Sequence, residues 1–323
     1  MKLLALGAGA AYLTACAPKF SKPPLSQDES ENGFVRVRGK RFIDVDGREL
    51  LINAVNVYRD SDPNDLNWVK EWGFNSVRLV IFWSFIEPEM GQFDSAEIER
   101  IAALVDKAAE LGLYVIVDMH QDLWGAKPED NWGRGAPSWT WEGNDKGHAH
   151  DESGVWSMAY FESDKIQHQF DRFWANETLS DGVGLMDHWL KIWEMVASRF
   201  ADHKNVVGYD VFNEPFWGTR VVEPMEAMTI SMLPRLIVEH GFDVVNKPAF
   251  ELALLGMEKA QSDPKLYRRW LNAGRKKAKK LDEELLVPAW DKAAQTIRRV
   301  APNQIIFSGR SEFRGTDYAA CFK

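Results

Sequence analysis

The segment from Val206 to Pro215 holds the residues best placed for chemistry. Up to Phe212 it is β-branched and aromatic with a single charge, Asp210, and reads as a buried strand. It then meets Asn213 and Glu214 and is broken by Pro215. A carboxylate at the C-terminal end of a buried strand has left the core and entered a site. In a (β/α)8 barrel that end of the strands is where catalytic groups sit. Glu214 is therefore the candidate catalytic carboxylate, with Asn213 as a hydrogen-bonding neighbour. Ordinary turn chemistry is the competing reading of the same three residues.

The elements that must position them alternate. Val35–Val37 and Arg41–Ile43 suggest a small hairpin turning near Asp46-Gly47, and Leu50 to Val57 an apolar strand ending near Asn56. A helix follows through Leu66, Val69 and Trp72 to Gly73. Asn75 to Ile81 is a second buried strand carrying one charge, Arg78. Ile98, Ile101, Leu104, Val105, Ala108 and Leu111 recur at helical spacing and stop at Gly112. Leu113 to Val117 is a third strand, running into Asp118-Met119-His120-Gln121-Asp122. Val206–Phe212 is the fourth and Gln304–Phe307 the fifth. Strand and helix alternating, with polar groups at strand ends, predicts a parallel α/β sheet. Residues 308–323 contain no convincing further strand, so five strands are readable where a closed barrel needs eight. The expected fold is a (β/α)8-type barrel incomplete at its C-terminal end.

Two connections are too long for plain βα loops. The first, after Asp122, is rich in Trp and Gly, with Trp124, Trp132, Trp139, Trp141 and then Phe173-Trp174-Ala175-Asn176. Long loops at a barrel mouth build substrate clefts. Trp189, Trp193 and Val196 belong to the helix before strand four and are expected in the core. The second runs from Pro215 to about Lys280. There Met225, Met228, Met232, Leu233, Leu236 and Ile237 form an apolar face interrupted by Pro234, which either cradles a lipid tail or covers the barrel wall.

The 323 residues carry 39 Lys and Arg against 48 Asp and Glu, a net charge of −9, which argues against nucleic acid as a partner. A composition 45% hydrophobic and 27% charged supports a real core. No glycine-rich phosphate loop follows any strand, and no cofactor is expected. Fourteen Trp suit stacking on sugar rings or filling a core. Lys2, the apolar run Leu3–Leu13 and then Leu13-Thr14-Ala15-Cys16 have the layout of an export signal, too short to span a membrane. The ending is lipobox-like. Residues 1–15 are expected to be a lipoprotein signal peptide, Cys16 the lipid anchor, 16–33 a flexible tether and 34–323 the barrel domain. The expected location is a bacterial outer membrane or cell surface, and Ala17 after the Cys suits outer-membrane sorting. Cys321 is the only other cysteine, so no internal disulfide is expected.

Four stretches together resemble glycoside hydrolase family 5, and within it the endoglycoceramidase and glycosylceramidase group. They are Gly73-Phe74-Asn75-Ser76-Val77-Arg78-Leu79, Asp118-Met119-His120-Gln121-Asp122-Leu123-Trp124, Gly135-Ala136-Pro137-Ser138-Trp139 and Val207 through Pro215. Asn-Glu-Pro is common to many such hydrolases; the Asp-Met-His-Gln-Asp-Leu-Trp run is more specific. The resemblance spans about residues 34–310, least clearly in the Met-rich insertion. It implies a retaining β-glycosidase with Glu214 as acid/base. Asn213 would bond the sugar hydroxyl beside the reacting carbon. His120 and Asp122 would grip sugar hydroxyls, and Trp124, closing the same run, joins the substrate-binding residues. Arg78 would orient the facing catalytic carboxylate, or simply neutralise a buried acid. Asp118 is expected to cap or pair inside the barrel. The family's nucleophile is a Glu after strand seven, which this sequence does not reach; Glu312 in Ser311-Glu312-Phe313 resembles that signature only superficially, because it follows strand five. A truncated hydrolase is the expectation.

Two weaker patterns remain. His148 and His150 beside Asp145 and Asp151 have metal-ligand types, but no element fixes them, and no metal site is expected. Lys265, Arg268, Arg269, Arg275, Lys276, Lys277, Lys279 and Lys280 either face anionic lipid or form the wet face of a helix. Three functions compete: cleavage between sugar and ceramide or a similar lipid aglycone, cleavage of a polysaccharide such as a β-glucan, and an inactive remnant. The expected partners are a glycolipid or oligosaccharide substrate and, through the anchor, a membrane.

Overall fold

The computed structural model describes residues 33–125, 135–141, 157, 159–261, 263–309 and 320–321. The expected leader, Cys16, most of the tether, Trp132, the His148 and His150 loop and Glu312 lie outside the described residues.

The described chain opens with a three-stranded antiparallel meander, β1 (Arg36–Arg38), β2 (Arg41–Ile43) and β3 (Glu49–Leu50). This corrects the expected two-stranded hairpin. The Asp46-Gly47 turn joins β2 to β3, and Asp44 Oδ1 accepts from the backbone N–H of Asp46 at 3.0 Å and Arg48 at 2.8 Å. The turn between β1 and β2 is carried by Gly39 at φ +63°. Leu50 belongs to β3, so the next strand starts at Ala54; a two-residue strand has no alternation to read.

Five parallel strands follow in chain order: β4 (Ala54–Tyr58), β5 (Ser76–Ile81), β6 (Tyr114–Met119), β7 (Val206–Asp210) and β8 (Ile305–Ser308). With helices between them they form an arc of the (β/α)8-barrel type, five of eight strands among the described residues. One strand went unread: β9 (Ala320–Cys321) pairs antiparallel with β8.

The register sorts the side chains by face. Val57, Leu79, Val117, Tyr209 and Ile306 align in one row, all buried. They pack under α3 (Ser95–Glu110), α6 (Leu185–Phe200) and α10 (Val287–Val300). Each large apolar side chain buried there contributes about 1.5–3 kcal/mol. Trp189, Trp193 and Val196 of α6 are fully buried, as their spacing predicts. One residue out of phase, on the opposite face, run Asn56, Arg78, Ile116, Gly208 and Ile305, and beyond them Tyr58, Val80, Asp118, Asp210 and Phe307. That period of two sends Arg78, Asp118 and Asp210 to the same side. Gly208 is required: a Cβ there would lie 2.1 Å from the Ile305 carbonyl oxygen.

The remaining elements lie between the strands. α1 (Leu66–Glu71) precedes β5 and α2 (Trp83–Ile86) follows it. The first long connection includes α4 (Ala159–Glu162) and α5 (Asp164–Trp174). The second holds α7 (Val222–His240), α8 (Ala249–Gln261) and α9 (Pro264–Leu281). This insertion has its own small core of Met232, Leu236, Val244, Leu252, Ala260, Leu266 and Trp270. α7 continues through Pro234 rather than breaking. Met232 and Leu236 on either side are fully buried, and that packing outweighs a cost of about 3 kcal/mol for an internal proline.

Candidate active site

The chain turns sharply where β6 and β7 end, and the two turns are tied together. Leu123 and Trp124 have φ of 52° and 68°, and Glu214 has φ of 46°. Non-glycine residues persist in this left-handed region when surrounding contacts fix them. Here Gln121 supplies the contacts. Its side-chain N–H donates to the carbonyls of Asn213 at 3.0 Å and Glu214 at 2.9 Å, and its Oε1 accepts from the Trp124 N–H at 2.9 Å. The Tyr160 hydroxyl of α4 accepts from the Leu123 N–H at 2.9 Å. Asn213 N–H donates to the Met119 carbonyl at 2.9 Å, continuing the β6–β7 ladder by one bond. Gly125 completes the first turn, since a Cβ there would lie 2.4 Å from the Ala136 oxygen.

A charge network lies beneath. Arg78 Nη2 is 2.8 Å from Asp118 Oδ1 and donates to Asp210 Oδ2 at 2.8 Å and Asn213 Oδ1 at 3.0 Å. Arg78 thus does what its plainer reading predicts and neutralises buried acids, while also orienting Asn213. Asp118 Oδ2 pairs with His120 Nδ1 at 2.7 Å, and His120 Nε2 lies 3.5 Å from Asp122 Oδ2 and 3.4 Å from Asn213 Nδ2. Asn213 Nδ2 donates to the Gln121 carbonyl at 3.2 Å. His120 thus faces a carboxylate at each ring nitrogen, an arrangement that favours its protonated form.

The electrostatics follow from burial and these partners. Burial alone would push the His120 imidazole down; its bonds to Asp118 and Asp122, and their charges, raise it instead to about 9. Burial pushes Asp118 up against the pull of His120 and Arg78. Burial and the neighbouring Asp118 raise Asp210 to about 6, with Arg78 opposing. Arg78 is held above its usual range despite burial by Asp118, Asp210 and, more weakly, the charge of Glu214. The site therefore concentrates four carboxyls around two cations, with Glu214 half-buried at the rim.

The structure brings Arg78, His120, Asp122 and Asn213 into one network and fixes the backbone of Glu214 beside it. Trp124, expected among the substrate-binding residues, is bonded through its backbone N–H to Gln121, and its side chain turns into the core. Its ring is fully buried, packed edge-on against Trp83, Phe170 and Phe173 at 6.3, 5.1 and 5.4 Å, and its Nε1–H donates to Thr140 Oγ1 at 3.0 Å. Trp141 is buried as well, while Trp139 and Trp174 are half-buried. Gln121, Tyr160 and Asp210 were not singled out as site residues. Gln121 stood inside the most specific run, and Asp210 was the lone charge of its strand, in phase with Arg78; nothing marked Tyr160. Among the described residues no group of three or more His, Cys, Asp or Glu could hold a metal ion, and no helix is long and apolar enough to cross a membrane.

Residues 43–233 match the family model described as Cellulase (glycosyl hydrolase family 5). An endoglycoceramidase of Cyanea nozakii is 27% identical over 263 residues, 69% of this chain and 50% of that one. Endoglycoceramidase I of Rhodococcus hoagii is 28% identical over 196 residues, 56% of this chain and 37% of that one. The structure of endo-glycoceramidase II from Rhodococcus sp. in complex with ganglioside GM3 superposes with a TM-score of 0.55 at 23% identity, covering 83% of this chain and 51% of that one, a likeness of fold. The chain thus spans about half or less of the length of these relatives.

Proposed function

The chain belongs to glycosyl hydrolase family 5, and from that premise we propose that it takes part in hydrolysis of a β-glycosidic bond between a sugar and ceramide or a similar lipid aglycone, with Glu214 as acid/base. The observation that carries this reading is the turn after β7. It holds Glu214 at φ 46° at the mouth, with Asn213 bonded by Arg78 beside it. In this reading the Glu214 carboxyl protonates the departing glycosidic oxygen and then takes a proton from the attacking water. Asn213, His120 and Asp122 receive sugar hydroxyls, and the imidazolium of His120 donates to one. A retaining reaction also needs a second carboxyl about 5–5.5 Å from Glu214. The endoglycoceramidase relatives support the lipid aglycone.

The test is hydrolysis of a fluorescent glycosylceramide and a soluble aryl β-glycoside by the purified chain, with Glu214→Gln as control. Glycosylceramide cleavage that disappears in the control supports the reading. Cleavage of β-glucan without glycosylceramide would move the proposal to a polysaccharide, as the family model's description suggests. A folded chain inert on every substrate would sink it and leave the inactive form. An exported, Cys16-anchored location remains part of the proposal, tested by metabolic labelling with a fatty acid and its loss in Cys16→Ser.

A further inference from the structure

The chain is acidic overall, yet α9 is the opposite. Its 18 residues hold eight of the 39 Lys and Arg and no Asp or Glu. Leu266, Trp270, Gly274, Ala278 and Leu281 recur every three or four residues and are buried, so one face is spent on the insertion's core. The exposed side carries Lys265, Arg268, Arg269, Lys276, Lys279 and Lys280. Among the described residues, Lys279 and Lys280 meet Glu283 and Glu284 at 3.4 Å, and none of the other cations of α9 has an ion-pair partner.

The direction of α9 is fixed by its contacts. Trp217 Nε1–H, just before α7, donates to Asp282, just after α9. A Cβ on Gly274 would press on Met228, and one on Gly256 would meet both Met232 and Trp270. α9 therefore runs antiparallel to α7, with its first residues at the end far from the strands. That end also carries exposed apolar side chains: Val238 is 87% and Phe242 74% exposed, where α7 ends and turns.

We infer that the outer face of α9 docks the protein on an anionic lipid bilayer surface, with Val238 and Phe242 meeting the bilayer at the far end of the insertion. Charge selects the occupant. A stripe of cations, most of them without an acidic partner, on an acidic protein lowers its energy against a surface of fixed negative charge, and each cation adds to the attraction. The apolar tip selects a lipid surface over a soluble polyanion, because only a bilayer offers hydrocarbon beside the phosphates. A bilayer partner suits a lipid-linked substrate but does not depend on it, since docking requires no hydrolysis.

The experiment is sedimentation of the full chain, in a Cys16→Ser background, with phosphatidylcholine vesicles with and without phosphatidylglycerol. Pure phosphatidylcholine records any binding by the N-terminal apolar run. The expected result is phosphatidylglycerol-dependent pelleting that weakens with salt. It falls about tenfold or more in the triple variant Arg268→Gln, Lys276→Gln, Lys279→Gln, and by less in Phe242→Ser. All three are exposed, and unchanged circular dichroism and melting establish that the variants fold. Absence of phosphatidylglycerol-dependent binding, or equal binding by the triple variant, overturns the inference. So does binding to single-stranded DNA or heparin that matches vesicle binding and is indifferent to Phe242→Ser.

Discussion

The strand mouth and the helical insertion place charge in opposite ways. At the mouth, Arg78 and His120 are enclosed among Asp118, Asp122 and Asp210, and most of these charges are bonded to groups from another strand or turn. On α9 the cations stand together on the outside, mostly without acids. Buried charge of the first kind is tolerated only when it is fully partnered. Exposed like charge of the second kind slightly disfavours the helix that bears it. The first arrangement holds side chains in place for chemistry; the second leaves them free for something outside the molecule.

The comparison breaks most visibly at Glu214. Glu214→Gln keeps shape and removes the transferable proton, so hydrolysis of an activated aryl β-glycoside should fall by about 10²–10⁴-fold while the unfolding midpoint barely moves. A loss of stability in place of activity would make Glu214 a structural turn residue.

Arg78→Met should cost stability as well as activity. It leaves Asp118 and Asp210 buried without their cation, and breaking such a pair costs about 3–5 kcal/mol. Urea unfolding reads this directly, and a cost below 1 kcal/mol would mean water already reaches the network. Trp270→Ala opens the insertion's core at a similar cost, about 3–5 kcal/mol, but locally. Hydrogen exchange should show α7–α9 losing protection while β5–β7 keep theirs. If the strands loosen as well, the two regions are one cooperative unit and the contrast drawn here fails.

How far the sequence foretold this depends on the signal each residue carries. The strands β5 to β8 and the helices between them were readable because alternation and 3.6-residue spacing persist over whole elements. Arg78, His120 and Asn213 were readable because a polar residue in or just after an apolar strand stands out. Trp124 stands out for the same reason, yet indole serves stacking and packing equally well, and the left-handed turn that swings its ring into the core is a tertiary feature. Tyr160 contributes one hydroxyl from a four-residue helix, and its relevance exists only once Gln121 is beside it. The third strand of the meander and β9 are two residues each and have no period to detect.

Titration separates the regions next. The folded imidazole of His120 sits at about 9, above its ordinary 6.5. Its contribution to stability is therefore fully present below pH 6.5 and declines as pH rises from there through about 9. His120→Gln should flatten that alkaline decline in the urea midpoint without altering the behaviour of the insertion. An unchanged slope would mean that His120 is neutral in the folded protein.

The smallest effect has the most telling sign. Lys276 stands one turn from Lys279 and Lys280, with no acidic partner among the described residues, and like charges at that spacing cost about 0.2–0.5 kcal/mol per pair. Lys276→Gln should therefore raise the stability of the insertion by a few tenths of a kcal/mol at low salt, and the gain should vanish as salt screens the repulsion. Neutralising a charge at the mouth destabilises; neutralising one on α9 stabilises. A gain in stability on removing a cation of α9 is what the proposed docking face predicts, because its charge then serves no contact within the fold. A loss of stability in Lys276→Gln would remove that argument and make the cationic face part of what holds the insertion together.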